Sequence, residues 1–266
     1  MIQDLPYSSY LSKTHERTEE HAMPGLPQVL LIALLSVLSP YGPATAAETL
    51  TMNTPGNPPY HYAEQDGIMD LWMQDVFQRV GKKVVLNWLP PERSLMLANE
   101  GMADGDAVRI GGLSKEYPNL IQVPEPVYVG DFVSFVKGVE FIPNGWKSLC
   151  PYHVATVRGH KITELNVKGT KSHVQVKKLD QLFTLLDKRR VDVVVVERLF
   201  GEVNIKQRGL QEIRLLEPPL ARVSFYLYMH KKHAPTIPEI SEAIMQMKKD
   251  GTHQQIYEAA RRKLGF

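Results

Sequence analysis

"EGMADGDAVR", Glu100–Arg109, reads as the end of a helix, a glycine stop and a short apolar strand that finishes on a charge. Glycine just after a periodic apolar run is a common helix terminator, and the run that follows suits a buried strand. The same grammar returns in "DKRRVDVVVVE", Asp187–Glu197. In each, an aspartate precedes the strand and a charge follows it: Asp104 then Arg109, Asp192 then Glu197. Two similar units therefore place opposite charges at corresponding strand ends. In open α/β sheets, ligands bind beyond the carboxyl ends of the strands. Arginine is seldom buried without a partner, so Arg109 is either a ligand contact or half of an internal salt bridge with Asp104 or Asp106. Only in the first case would alanine at 109 leave the melting temperature nearly unchanged.

The flanking sequence extends the alternation. "ETLTMNTPGNPPYHYAEQDG" (48–67) is a strand and a Pro/Gly/Asn loop; Met69, Met73, Val76, Phe77 and Val80 recur at helical spacing; "KKVVLNWLP" (82–90) is a strand; "PERSLMLANEG" (91–101) is a short helix. After an irregular segment leading into a strand near Phe132, a second unit runs strand, glycine turn, helix, and then "VDVVVVER" (191–198), apolar enough to be buried on both faces. "ARVSFYLYMHKKH" (221–233) returns as a strand, and two helices around Gly251 close the chain. This pattern predicts an α/β fold with mostly parallel sheets.

With 266 residues, 43% hydrophobic and 23% charged, the chain can build one large domain or two lobes. A net charge of +2 with scattered basic residues argues against a nucleic-acid partner. The apolar run Val29–Leu38, the breakers Pro40 and Pro43, and Ala44-Thr45-Ala46 predict a signal peptide over 1–47 and a periplasmic protein, from a start at Met1 or Met23. A buried or anchoring N-terminal helix is the alternative. Cys150 is the only cysteine, so no intramolecular disulfide forms, and a packed, inert thiol is expected. No metal-ligand spacing, nucleophile elbow or phosphate loop is present, and no cofactor or metal is expected.

"PPYHYAEQDG", "ANEGMADGDA", "VPEPVY", "WKSL", "VATVRGHK", "RRVDVVVVE" and "MKKDGTHQQIYEAA" occur in an order that resembles the extracellular solute-binding proteins of family 3, the polar-amino-acid-type periplasmic binding proteins. The resemblance covers about Glu48 to Phe266. It implies a two-lobe periplasmic-binding-protein-like fold, each lobe a mostly parallel sheet flanked by helices. Two hinge strands, near Phe132–Val136 and Ser224–Met229, would join the lobes. Lobe 1 would comprise 48–135 and 226–266, and lobe 2 would comprise 136–225. It further implies a monomer that captures a small polar solute, an amino acid or related anion or zwitterion, and delivers it to a membrane permease or a sensor protein. The family's threonine and arginine after the third strand are replaced here by Gly111 and Glu116, so the usual carboxylate clamp is missing.

Six residues are candidate ligand contacts. Arg109 would hold an anion through its fork, and Arg93, at a helix start, is a second anion contact or a surface partner of Glu92 or Glu100. Glu197 would grip an amine or hydroxyl, unless Arg198 pairs with it. Gly159 and His160 form a strand-to-helix turn with backbone N–H groups suited to an anion. Tyr60, after Pro58-Pro59, would wall the pocket with its ring, whereas Trp72 is expected in the core. Two rival functions remain open. One is an enzyme on the same fold, like the cyclohexadienyl dehydratases, with Glu197 handling a proton. The other is a ligand-sensing or vestigial module.

Overall fold

The computed structural model describes residues 47–266; the expected signal peptide, apart from Ala47, lies outside the described residues. Among the described residues nine strands form one sheet: eight follow the order β2-β1-β3-β9-β5-β8-β6-β7, and the ninth, β4, pairs with β9 off that path. On one side, β1 (Thr49–Thr54) runs parallel to β2 (Lys83–Trp88) and β3 (Gly105–Ile110). On the other, β6 (His153–Val157) runs parallel to β7 (Ser172–Val176) and β8 (Val193–Glu197).

Two long strands connect these parallel groups. β5 (Tyr128–Val136) and β9 (Arg214–His230) are antiparallel to each other, with Tyr128–Phe132 opposite Ala221–Phe225. Beyond that stretch β9 pairs with β3 and with β4 (Leu120–Gln122), while β5 pairs with β8 from Phe132 to Val136. The fold is thus mixed α/β with two lobes.

Helices cover both groups. α1 (Ile68–Arg79) buries Met69, Trp72, Met73, Val76 and Phe77, the periodic face seen in the sequence. The final helices α6 (Ile237–Lys249) and α7 (Thr252–Lys263) return to pack on α1. Trp72 belongs to this core: it is 1% exposed, donates Nε1–H to the His253 carbonyl and stacks on the His253 ring. α4 (Leu179–Asp187) and α5 (Arg198–Arg208) pack on the second group, whose β8 buries all four valines between facing layers. α2 (Pro91–Asn99) and α3 (Lys161–Asn166) follow β2 and the β6 turn. Cys150 is only half-buried, with its thiol 3.7 Å from the Lys168 carbonyl, and not fully packed as expected. No helix among the described residues is long and apolar enough to cross a membrane.

Candidate functional site

The carboxyl ends of β1, β3, β6 and β8 converge on one cavity with about 80 Å³ of free interior space. That is room for several waters or for a small organic molecule. Tyr60, Arg109, Gly159, His160 and Glu197 all line it. Arg93 does not: it is exposed on α2, away from the lining, and makes no ion pair among the described residues.

The setting of Arg109 corrects the expectation of a free cation. Nε donates to Asp106 Oδ1 at 2.8 Å, and Nη2 donates to Asp106 Oδ2 and to the Pro91 carbonyl, both at 2.9 Å. Ser94 Oγ adds a 2.6 Å hydrogen bond to Asp106 Oδ2. Asp106 is 0% exposed and Arg109 6%, so the pair sits inside its own lobe and cancels there. Residues three apart in a regular strand face opposite sides of the sheet. A register shift between Asp106 and Arg109 breaks that alternation and lets both side chains meet. Asp104, the other candidate partner, is held elsewhere by His233, Lys232 and the Thr51 amide.

Glu197 has no such cation. Arg198, its expected rival partner, pairs instead with Glu217 at 2.7 Å and with Asp131 at 3.6 Å. Glu197 Oε2 accepts a hydrogen bond from the Phe200 amide and caps α5. Burial pushes its carboxyl up to about 7, against the downward pull of the Phe200 and Leu199 amides and the Tyr60 hydroxyl. Near neutrality it is therefore a partly protonated acid, able to donate as well as accept.

The β6–α3 turn also departs from expectation. Gly159 has φ +81°, a left-handed conformation that favours glycine. Its N–H, expected to face an anion, donates to Glu164 Oε1 at 2.6 Å. A Cβ here would stand 2.8 Å from Pro91 Cβ, so the turn lies directly against the start of α2. His160 is held neutral: burial, then the Arg109 charge, pushes its imidazole down to about 4. At the rim, Lys161 of α3 donates to Glu116 at 3.1 Å and lies 3.2 Å from Glu92, with its ammonium over the Tyr117 ring. Burial alone would lower the pKa of that ammonium, but the bonds to Glu116 and Glu92 outweigh it and raise it.

Tyr60 is fixed by a buried carboxylate. Asp70, 0% exposed, accepts from the Tyr62 and Gly67 amides and stands 2.6 Å from the His61 ring, folding the loop that presents Tyr60. The Tyr60 ring packs on Tyr128 and Phe200, and Tyr128 stacks on Phe225 at 4.7 Å. Apart from Tyr60, these aromatic walls, with Phe132, Ile162 and Lys161, were missed in the sequence. "VYVGDFVSF" and "ARVSFYLY" carry several of them, and nothing in those apolar runs distinguishes a cavity wall from ordinary core. No group of three or more His, Cys, Asp or Glu side chains among the described residues could hold a metal ion.

No family model matches the chain. A protein of Shewanella oneidensis described as uncharacterized is 20% identical over 194 residues, which is 69% of this chain and 72% of that protein. Solved structures of the same fold include an ancestral arginine-binding protein bound to arginine, with TM-score 0.69 and 19% identity over 80% of this chain and 98% of that one. The GluR0 ligand-binding core from Nostoc punctiforme in complex with L-glutamate superposes with TM-score 0.66 and 17% identity, over 79% and 98% of the two chains. A histidine kinase sensor domain with similarity to periplasmic binding proteins gives TM-score 0.69 and 17% identity, over 80% and 96%. The chain therefore has the two-lobe fold of periplasmic binding proteins.

Proposed function

We propose that this chain is a periplasmic, non-catalytic capture protein of the family 3 solute-binding type. With lobe 1 taken as 48–135 and 226–266 and lobe 2 as 136–225, a small solute enters between the lobes. It touches Tyr60 and Arg109 on one side and Gly159, His160 and Glu197 on the other, and a membrane permease or sensor protein reads the closed monomer. The observation that carries this reading is the convergence of strand ends from both parallel groups on one cavity. A ligand that touches both lobes favours the closed state by its differential affinity for it. The ligands bound in two of the solved neighbours, arginine and L-glutamate, support a small solute.

The experiment is a thermal-shift screen of the full chain against small organic solutes, followed by small-angle scattering with each hit. A true ligand at a hundredfold excess over its Kd adds about 2.7 kcal/mol of stability and reduces the radius of gyration. A screen in which no compound raises the melting temperature contradicts the reading.

One observation favours a second reading, an enzyme on the same fold. A carboxyl poised near pH 7 in an enclosed site is suited to proton transfer. Mass spectrometry of a bound compound after incubation separates the two, because a captured solute is recovered unchanged.

A further inference from the structure

The cavity carries polar groups but almost no uncompensated charge. Arg109 is matched inside its own lobe by Asp106, which leaves Nη1 as its remaining donor. The Gly159 amide is taken by Glu164. Glu197 has one oxygen on the Phe200 amide and no cation within ion-pair distance among the described residues. Between these points the wall is hydrocarbon and aromatic, with Met69, Ile110, Phe132, Ile162, Phe200 and Phe225 facing the space.

We propose that the ligand is a small organic molecule with an apolar body and a single carbonyl or carboxyl end, and not a zwitterionic amino acid. This rests on the capture reading above and names its ligand class. A zwitterion brings two full charges. Its ammonium would have only Glu197 to meet, the one acidic side chain lining the cavity, at a place where burial resists ionisation. An apolar body loses nothing on entering, and each methylene buried against this wall is worth roughly a fourfold gain in affinity. A single acceptor at the end satisfies Arg109 Nη1, and a carboxylic acid or amide end can also exchange hydrogen bonds with Glu197.

Isothermal titration of the full chain with matched pairs tests this. Phenylalanine is compared with 3-phenylpropionate, and norleucine with hexanoate, so that each pair differs by the ammonium group alone. The deaminated member should bind at least tenfold more tightly. In the series from butyrate to octanoate, affinity should rise about fourfold per carbon until the cavity is full. Val108→Ala, which enlarges the wall on β3, should move the best chain length one or two carbons upward. Tighter binding of the amino acids overturns the ligand class and leaves the capture reading standing. A panel in which neither class binds, extended to arginine, glutamine and glutamate, overturns the capture reading itself.

Discussion

Arg109 and Glu197 end corresponding strands of the two parallel groups, yet their surroundings differ. Arg109 meets a carboxylate three residues earlier in its own strand, brought round by a register shift, and is paired within its lobe. Glu197 follows four valines in a regular strand, where its immediate neighbour Arg198 points elsewhere, and it is buried with hydrogen bonds but no counter-charge. One charge is compensated and kept. The other is buried at a cost that favours its neutral form. Two sites with the same sequence grammar thus yield a cavity whose polarity is directional and nearly uncharged.

The largest expected effect breaks the compensated side. Arg109→Ala strands Asp106, which is 0% exposed, and should destabilise the fold by about 3–5 kcal/mol in chemical denaturation. That reverses the expectation for a free ligand contact, under which the melting temperature would hardly move.

Next comes the uncompensated side. The Glu197 carboxyl titrates at about 7 in the folded protein, against an ordinary 4.5. Between those values the folded state holds a proton that the unfolded state has lost, so stability falls as pH rises. The contribution is fully present below pH 4.5 and is lost through pH 7, a change on the order of 3 kcal/mol. Denaturation at pH 5 and pH 8 should show it as the difference in slope between the unaltered protein and Glu197→Gln, because His160, whose imidazole is pushed down to about 4, contributes a slope of opposite sign.

Two smaller effects concern the contacts at the cavity rim. Gly159→Ala forces a side chain into a left-handed turn and against Pro91, and should cost about 1–3 kcal/mol, read as a lower melting temperature. Lys161→Met removes the ion pairs to Glu92 and Glu116. Both acids are half exposed, so the loss should be at most about 1 kcal/mol. Its signature is a larger radius of gyration in small-angle scattering, an effect that high salt should reproduce in the unaltered protein.

Much of the fold was legible because apolar periodicity and glycine stops are local. The helix face at Met69–Phe77 and the all-valine strand at 193–196 both follow from neighbouring residues alone. Arg109, Gly159, His160 and Glu197 reached the cavity because strand ends are legible in the same way, and Tyr60 stands in the Pro/Gly/Asn loop that follows β1. Their partners were not. Whether Asp106 reaches Arg109 depends on a local irregularity in the β3–β9 pairing, which no alternation pattern encodes. Glu164 takes the Gly159 amide by a fold-back within one turn, and Lys161 meets Glu116 across 45 positions of chain. Arg93 is exposed because its helix turns Pro91, Ser94, Leu95 and Ala98 inward, and Pro91 meets the site only through the carbonyl that Arg109 holds.

A double-mutant cycle with Arg109→Met and Asp106→Asn, each followed by chemical denaturation, measures the internal compensation directly. Asparagine keeps an acceptor for Ser94 and methionine keeps the apolar stem, so the cycle isolates the charge pair. The account predicts a coupling of about 2–3 kcal/mol between the two positions. A coupling below about 0.5 kcal/mol would mean that Arg109 is free for a guest, and the neutral cavity would be the wrong description.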